Sequence, residues 1–145
     1  MPTNSSIDSS VQVVIEVPRG SFVKRDAAGK IDLVSPVPTP FNYGRITGVL
    51  GGDGEPQDAI VLGPRLPRGR TVQLKVHGVV RFVDQGQRDD KWVCGEHPPS
   101  RLQRSGVVAF FFVYARIKRL RDRLTMKPAD SVFEGWHCVS SPSVR

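Results

Sequence analysis

Residues 71–94, TVQLKVHGVVRFVDQGQRDDKWVC, contain a long strand pattern, an acidic turn and a second strand pattern. The first part, residues 71–83, is rich in valine, which is typical of a β-strand. Gly78 within it indicates a bulge or bend. Residues 84–91 carry turn-forming Gly and Asp residues, and residues 92–94 return as a strand. The stretch therefore predicts a bent strand whose far end carries a group of carboxylates.

Shorter strand patterns surround this stretch. They are predicted at residues 11–17, 29–34, 45–50, 59–63 and 131–139. Residues 35–40 carry alternate prolines and cannot form a central strand. Residues 96–106 are predicted to be loop because they include Pro98, Pro99 and Gly106.

One helix is predicted after this loop. From Val107 onward, apolar residues recur at intervals of three and four, at Phe110, Val113, Ile117, Leu120 and Leu124. This spacing predicts an amphipathic helix with these residues on its buried face. Short strands bent by glycines, together with one main helix, predict a mainly β fold with some α: a small closed β-barrel.

Length and composition indicate one globular unit. The chain has 145 residues, of which 39% are hydrophobic and 24% charged, as expected for a single soluble domain. We expect a flexible segment at residues 1–10, one domain at residues 11–139 and a mobile tail at residues 140–145. Neither an apolar leader segment nor a run long enough to cross a membrane is visible, which predicts a cytoplasmic protein without membrane partners. Cys94 and Cys138 lack metal-type spacing and are predicted to be buried thiols.

The net charge of +7 indicates polyanionic partners, from small phosphates to nucleic acid. Much of the excess positive charge lies at residues 116–123, within the predicted helix. We interpret these residues as the solvated face of the helix, with an RNA or DNA contact as the alternative.

Two acidic clusters stand out in this basic chain, at residues 53–58 (DGEPQD) and 84–91 (DQGQRDDK). Closely spaced carboxylates repel one another unless a cation neutralises them. Hard oxygen ligands without nearby His or Cys suit Mg²⁺, Mn²⁺ or Ca²⁺. The clusters predict a site for divalent cations, although their spacing alone leaves two solvated acidic turns as an alternative.

An ordered set of motifs extends this pattern over residues 11–136. The set consists of Val13-Val14-Ile15-Glu16-Val17-Pro18, Lys24, Asn42-Tyr43-Gly44, Asp53-Gly54-Glu55-Pro56-x-Asp58, Gly78-Val79, Asp84, Asp89, Lys91, Phe110-Phe111-x-x-Tyr114 and Glu134-Gly135-Trp136. In order and spacing it resembles the soluble inorganic pyrophosphatases of family I. The resemblance implies a five-stranded, OB-like barrel packed by one main helix, with a second helix as an option. It also implies a homo-oligomer.

The resemblance further implies roles for individual residues. Asp53, Asp58 and Asp89 would hold two metal ions beside the attacking water, and Asp84 and Glu16 would bind further metal ions that arrive with the substrate. Asp26 falls where the family has a glutamate of similar role. Glu55 falls where the family has an aspartate that orients or deprotonates the water. Phosphate contacts would come from Lys24, Tyr43, Lys91 and Tyr114, with Tyr43 also assigned to catalysis. Mg²⁺ is the implied cofactor, in two or more copies, with Mn²⁺ as an alternative.

The chain also departs from the family pattern. Ser35 stands where the family has an arginine, Thr39 where it has a tyrosine, and Ala115 where it has a lysine. Two cationic phosphate contacts are therefore missing, and Arg45 or Arg116 could replace them. Asp90 has no counterpart in the family and is expected to be solvated.

The predicted function is Mg²⁺-dependent hydrolysis of inorganic pyrophosphate to two phosphates by a metal-activated water, without a covalent intermediate. One variant is hydrolysis of another small phosphoanhydride. The alternative from a different class is a catalytically weakened barrel that binds polyphosphate or nucleic acid through its basic surface.

Overall fold

The computed structural model describes residues 10–21, 23–25, 31–34, 38–52, 54–84, 86–126 and 131–138, with only the backbone for 23–25 and 31–34. Nine strands and one helix lie within these residues. The strands are β1 (Ser10–Val17), β2 (Val23–Arg25), β3 (Ile31–Val34), β4 (Asn42–Leu50), β5 (Pro56–Val61), β6 (Thr71–Asp84), β7 (Gln87–Arg88), β8 (Lys91–Gly95) and β9 (Val132–Cys138). The helix, α1, spans Arg101–Leu124.

Five of these strands close into a barrel in the order β1-β4-β5-β8-β6, with β1 pairing back onto β6. All contacts in the barrel are antiparallel except the parallel pair β5–β8. β7 and β9 extend the sheet along β6, while β2 and β3 form a separate two-stranded sheet. The predicted mainly β fold with a closed barrel is confirmed. β1 begins at Ser10, one residue inside the segment that was expected to be flexible.

Gly78 lies where the sequence predicted an irregularity. The register between β6 and β8 shifts between Val76 and Gly78, which marks a bulge. A Cβ atom built on Gly78 would lie 2.7 Å from the indole Nε1 of Trp136. This position therefore needs glycine because the Trp136 side chain, on β9, packs directly against the backbone.

Alternation along the barrel strands produces two apolar clusters. In β5, Ala59 and Val61 point into the barrel, where side chains from all five strands meet. Ile60 points to the opposite face, where it packs with Phe82 of β6 and Phe111 of α1. Helix α1 thus covers the outer face of the barrel, and polar residues on this same face come to lie beside the helix.

The helix begins earlier than predicted. Residues 101–106 belong to α1, so the predicted loop at residues 96–106 is wrong over its second half. The Ser100 hydroxyl accepts a hydrogen bond from Gln103 N at 3.1 Å, and the Gln103 side chain accepts one from Ser100 N at 2.9 Å. This capping box fixes the start of the helix immediately after Pro98 and Pro99.

The buried face of α1 also differs from the prediction. Val107, Phe111 and Ala115, spaced by four, pack on the sheet. Most of the predicted stripe is instead exposed: Val113, Ile117, Leu120 and Leu124 are 44%, 37%, 58% and 76% exposed. Since residues 110–112 are all phenylalanine, the helix offers apolar residues on more than one face, and spacing alone could not select the correct one.

The two cysteines differ in environment. Cys94 lies in the barrel interior, and burial raises the pKa of its thiol to about 12. Cys138, at the end of β9, is exposed, so the expectation that both thiols are buried is wrong for Cys138. Among the described residues, no helix combines the length and the apolar character needed to cross a bilayer.

Candidate active site

Asp58, Asp89 and Lys91 form the centre of the candidate site. The Lys91 ammonium lies 2.8 Å from Asp58 Oδ2 and 2.8 Å from Asp89 Oδ2. Asp58 and Lys91 are register partners in the parallel pair β5–β8, which places both side chains on the helix-facing side of the barrel. Asp89 joins them because its backbone N–H donates to the Phe82 carbonyl at 2.9 Å, across the turn that ends β6.

The Lys91 side chain is only 6% exposed. Burial alone would lower its pKa, but the Asp58 and Asp89 carboxylates outweigh this effect and raise the pKa above its ordinary value. Lys91 is therefore a fixed cation at neutral pH, held between two carboxylates.

Tyr43 lies over this centre. The Lys91 ammonium is 5.9 Å from the centroid of the Tyr43 ring. Burial of the phenol, followed by the nearby Asp58 and Asp89 carboxylates, raises the Tyr43 pKa well above 10.0. Tyr43 therefore keeps its proton at neutral pH and can act as a hydrogen-bond donor.

The residues on either side of Tyr43 explain its position. Gly44 is the register partner of Ile15, and any Cβ there would collide with the backbone oxygen of Val14. The Asn42 side chain is fully buried, accepts from the backbone N–H groups of Arg19 and Leu66 at 2.9 Å each and donates to the Pro64 carbonyl at 2.8 Å. The Asn-Tyr-Gly motif thus fixes the start of β4 and presents the phenol to the site.

Tyr114 approaches from the helix. Its ring lies 5.9 Å from that of Phe82 and 6.0 Å from that of Phe110. It is close enough to Tyr43 to contribute to the raised pKa of that phenol. Helix α1 therefore adds a second phenol to the group formed by Tyr43, Asp58, Asp89 and Lys91.

Asp84 occupies a neighbouring position at the end of β6. Its Oδ2 accepts from the Lys118 ammonium at 2.6 Å, and its Oδ1 accepts from the Ser131 hydroxyl at 2.9 Å. Lys118 was assigned to the solvated face of the helix, which is wrong: its side chain is only 15% exposed. The sequence carried a signal for this, because Lys118 is four residues after Tyr114 and so shares its helix face.

Glu16 is linked to the site through an arginine. Its carboxylate accepts from Arg45 at 2.7 Å. Arg45 in turn is the register partner of Asp58, on the neighbouring strand β4. Glu16 therefore lies next to the central group, and its described ion-pair partner is Arg45.

Other predicted residues are less directly placed. Glu55 is exposed in the turn before β5, where its carbonyl accepts from Gly51 N at 2.8 Å. Asp53, Asp26 and Ser35 lie outside the described residues, as does the side chain of Lys24. Thr39 is described and donates from its hydroxyl to the Pro18 carbonyl at 3.4 Å.

The expectation that Asp90 is solvated is wrong. Its side chain is 17% exposed and lies 3.3 Å from Arg81 and 3.0 Å from Arg88. It also accepts a hydrogen bond from Phe82 N at 3.0 Å. Asp90 therefore holds the turn that carries Asp89, a structural role that sequence spacing did not reveal.

The helix position directly after Tyr114, where a lysine was expected from the resemblance, is buried. Ala115 is 5% exposed and belongs to the apolar cluster beneath α1. Arg116 does not replace the missing cation in this structure, because its guanidinium stacks over the exposed ring of Phe112 at 5.7 Å. Arg45 is paired with Glu16. The helix cation that reaches a site carboxylate is Lys118.

The donor atoms of the central group fit a hard divalent cation. The Asp58 and Asp89 carboxylates are neighbours, since each lies 2.8 Å from the same nitrogen atom of Lys91. Carboxylate oxygens are the ligands that Mg²⁺ and related ions prefer. Among the described residues, which exclude Asp53, no three His, Cys, Asp or Glu side chains cluster closely enough to form a complete site. Asp58 and Asp89 therefore fit as part of a metal site.

The helix-facing side of the closed barrel thus carries two carboxylates and a phenol around one buried lysine. The family model for inorganic pyrophosphatase matches residues 13–108 of this chain. The chain belongs to the inorganic pyrophosphatase family.

Individual relatives agree with this assignment. The inorganic pyrophosphatase of Gluconobacter oxydans is 34% identical over 109 residues, covering 70% of this chain and 63% of that protein. A soluble inorganic pyrophosphatase of Oryza sativa subsp. indica is 40% identical over 98 residues, covering 61% of this chain and 46% of that protein. The matched region thus spans about half to two thirds of the length of these curated relatives.

Solved structures match a larger share of this chain and of their own length. The inorganic pyrophosphatase of Thermus thermophilus has a TM-score of 0.66 at 28% identity and covers 95% of this chain and 87% of that one. The enzyme of Helicobacter pylori has a TM-score of 0.73 at 23% identity, with 99% and 93% covered. At this lower identity, the second match supports the fold alone.

Proposed function

We propose that this chain hydrolyses inorganic pyrophosphate to two phosphates and requires a divalent cation, Mg²⁺ first among them. The observation that carries the proposal is the convergence of Asp58 and Asp89 on Lys91 beneath the Tyr43 phenol. The family membership of the chain supports pyrophosphate as the substrate.

The chain's own residues supply binding and orientation. Lys91 is cationic and uses two of its three N–H donors on Asp58 and Asp89, so it can direct the remaining N–H toward a phosphoryl oxygen. Tyr43 stays protonated at neutral pH and donates its O–H to the same group of oxygens. Tyr114, on the helix side, would donate from the opposite wall. These donors favour the transition state because charge grows on the phosphoryl oxygens as the P–O bond breaks.

Asp58 and Asp89 would hold the divalent ion, which when bound neutralises phosphoryl charge and lowers the pKa of the attacking water. We assign Glu55 to orienting that water and accepting its proton. We also assign Asp53 as a ligand with Asp58 and Asp89, and Asp84 and Glu16 as ligands nearer the substrate. Lys24 completes the proposed phosphate contacts.

A phosphate-release assay tests the proposal. Purified protein is given pyrophosphate, tripolyphosphate or ATP, each with Mg²⁺, with Mn²⁺ or with EDTA. We expect release from pyrophosphate with Mg²⁺ and none with EDTA. Preference for ATP or tripolyphosphate would move the substrate to another phosphoanhydride, and no release from any of the three would refute the hydrolase.

Binding of polyphosphate or nucleic acid is the second candidate, favoured by the exposed arginines Arg121 and Arg123 on α1. Fluorescence anisotropy with labelled polyphosphate and single-stranded RNA tests it, using Arg121→Ala/Arg123→Ala as the variant. Assembly as a homo-oligomer and a cytoplasmic location stay predictions, and sedimentation velocity tests the former.

A further inference from the structure

Lys118 lies on the same face of helix α1 as Tyr114. It follows Tyr114 by four residues, so the two side chains lie one above the other on the same face of the helix. Tyr114 packs on Phe82, and Asp84, which pairs with Lys118, lies two residues further along the same strand. Since alternate residues of a strand share a face, Phe82 and Asp84 point toward α1 together. Asp84 and its partner Lys118 therefore lie on the same side of β6 as Phe82, whose ring centroid is 5.8 Å from the Lys91 ammonium.

The ammonium of Lys118 is held firmly but has donors to spare. An ammonium carries three N–H donors, and within the described part of the chain Asp84 is the one partner of Lys118. Asp84 is itself fixed by the Ser131 hydroxyl at 2.9 Å. The Lys118 side chain is 15% exposed, so it is mostly buried yet reachable from solvent.

Lys91 alone leaves little capacity for an anion. It spends two of its three donors on Asp58 and Asp89 and is 6% exposed. A diphosphate presents several anionic oxygens, and two carboxylates beside Lys91 repel them. A second cation on the helix side would offset this repulsion for the phosphate group that lies farther from Lys91.

The neighbouring cations of α1 do not serve this purpose. Arg116 stacks on Phe112. Arg119 donates from Nε to the Ser131 carbonyl at 2.7 Å. Of these three basic residues, Lys118 is the one whose cationic group contacts a carboxylate of the site.

We propose that Lys118 is a substrate-binding residue, which contacts a phosphoryl oxygen of the diphosphate while Asp84 holds its ammonium in place. This inference rests on the proposed function. Lys118, one helical turn after Tyr114, would make a phosphate contact that the buried Ala115 does not make.

Calorimetric titration with methylenediphosphonate, a diphosphate that cannot be hydrolysed, tests the inference in the presence of Mg²⁺. Lys118→Met should weaken binding by about 10- to 100-fold, as expected for loss of a charged hydrogen bond. Lys118→Arg should recover most of the affinity. Arg116→Met, the matched control on the same helix, should bind within about twofold of wild type, as expected of an exposed surface change. Lys118→Gln takes the place of Lys118→Met, with the same expectation, if the latter does not fold.

A purely structural ion pair predicts a different pattern. Lys118→Met would then lower the melting temperature and leave the affinity for methylenediphosphonate unchanged, which would overturn the inference. If wild type binds the analogue and releases phosphate from pyrophosphate while Lys118→Met and Lys118→Gln bind as wild type does, the inference alone fails. If wild type neither binds the analogue nor releases phosphate, the proposed function fails and the inference falls with it.

Discussion

Lys91 and Asp58 are cross-strand partners in the parallel pair β5–β8, and their side chains meet at 2.8 Å. The same ammonium meets Asp89 at 2.8 Å, which links strand β5 to the turn before β8 through one cation. Because these groups sit on the helix-facing side of the barrel, Tyr43 and Tyr114 enclose them. The Lys91–Asp58 ion pair thus links two strands of the barrel wall and also lies at the centre of the candidate site.

Replacing Lys91 by methionine should destabilise the protein and abolish hydrolysis. The change removes the cation between two half-buried carboxylates, and leaving such charges unpaired costs about 3 kcal/mol. Urea denaturation in EDTA measures the loss. Mg²⁺ should restore part of the stability of Lys91→Met, since a divalent ion can take the place of the ammonium beside Asp58 and Asp89. An unchanged denaturation midpoint would show that the two pairs contribute little.

Tyr43 should resist ionisation. Burial and the Asp58 and Asp89 carboxylates raise its pKa well above 10.0, so the folded protein holds the proton more tightly than the unfolded chain. Its contribution to stability is complete below pH 10.0, the ordinary value, and is lost as the pH rises through the folded pKa. Lys91 has the same sign, since its folded pKa also exceeds the ordinary 10.5.

The chain has two tyrosines, so absorbance at 295 nm of wild type minus Tyr43→Phe isolates the tyrosinate of Tyr43. Measured in EDTA, this difference should be absent at pH 10.0 and appear only at higher pH or on unfolding. Half-ionisation of Tyr43 at pH 10.0 would contradict the buried, carboxylate-flanked environment.

Asp89 and Asp90 should respond differently to the same substitution. Asp89→Asn should remove most of the activity and leave the fold intact, because Asp89 is a proposed metal ligand. Asp90→Asn weakens contacts with Arg81 and Arg88 and should lower stability by about 1–2 kcal/mol. Its activity at temperatures well below melting should stay within a few-fold of wild type. Equal loss of activity in both variants would mean that the turn has been assigned wrongly.

Divalent cations should stabilise the fold. An ion that binds Asp58 and Asp89 in the folded protein relieves their repulsion and shifts the unfolding equilibrium. At saturating Mg²⁺ we expect a rise in melting temperature of about 5–10 °C over EDTA. The double variant Asp58→Asn/Asp89→Asn is the control and should show no such rise. A rise of equal size in the double variant would place the stabilising ion elsewhere.

Much of the barrel follows from the sequence. The strand at residues 71–83 and its bend at Gly78 were predictable because valine-rich alternation and an internal glycine have local causes. The convergence of Tyr43, Asp58, Asp89 and Lys91 was implied only by resemblance, since it depends on the parallel pairing of β5 with β8, which no local pattern encodes.

The errors have physical reasons as well. The helix start was missed because Pro98, Pro99 and Gly106 outweighed the Ser100-x-x-Gln103 capping box, which was present in the sequence. The predicted helix face was wrong because the buried face includes Ala115, a small residue that was not counted among the apolar positions of the helix. The partner of Lys118, Asp84, is distant in the chain, although the position of Lys118 four residues after Tyr114 indicated the helix face that it shares. The role of Asp90 depends on how the turn folds back onto Arg81 and Phe82, which the sequence spacing does not show.

In the proposed function, Asp58, Asp89 and Lys91 form a pyrophosphatase site that depends on a divalent cation. The most direct test is the initial rate of phosphate release from pyrophosphate at saturating Mg²⁺ in wild type, Asp58→Asn and Asp89→Asn, with circular dichroism to verify folding. We expect wild type to turn over and each folded variant to lose more than about 1,000-fold in rate, because metal-assisted activation contributes several kcal/mol. Equal rates in wild type and both folded variants would show that Asp58 and Asp89 do not form the hydrolytic site.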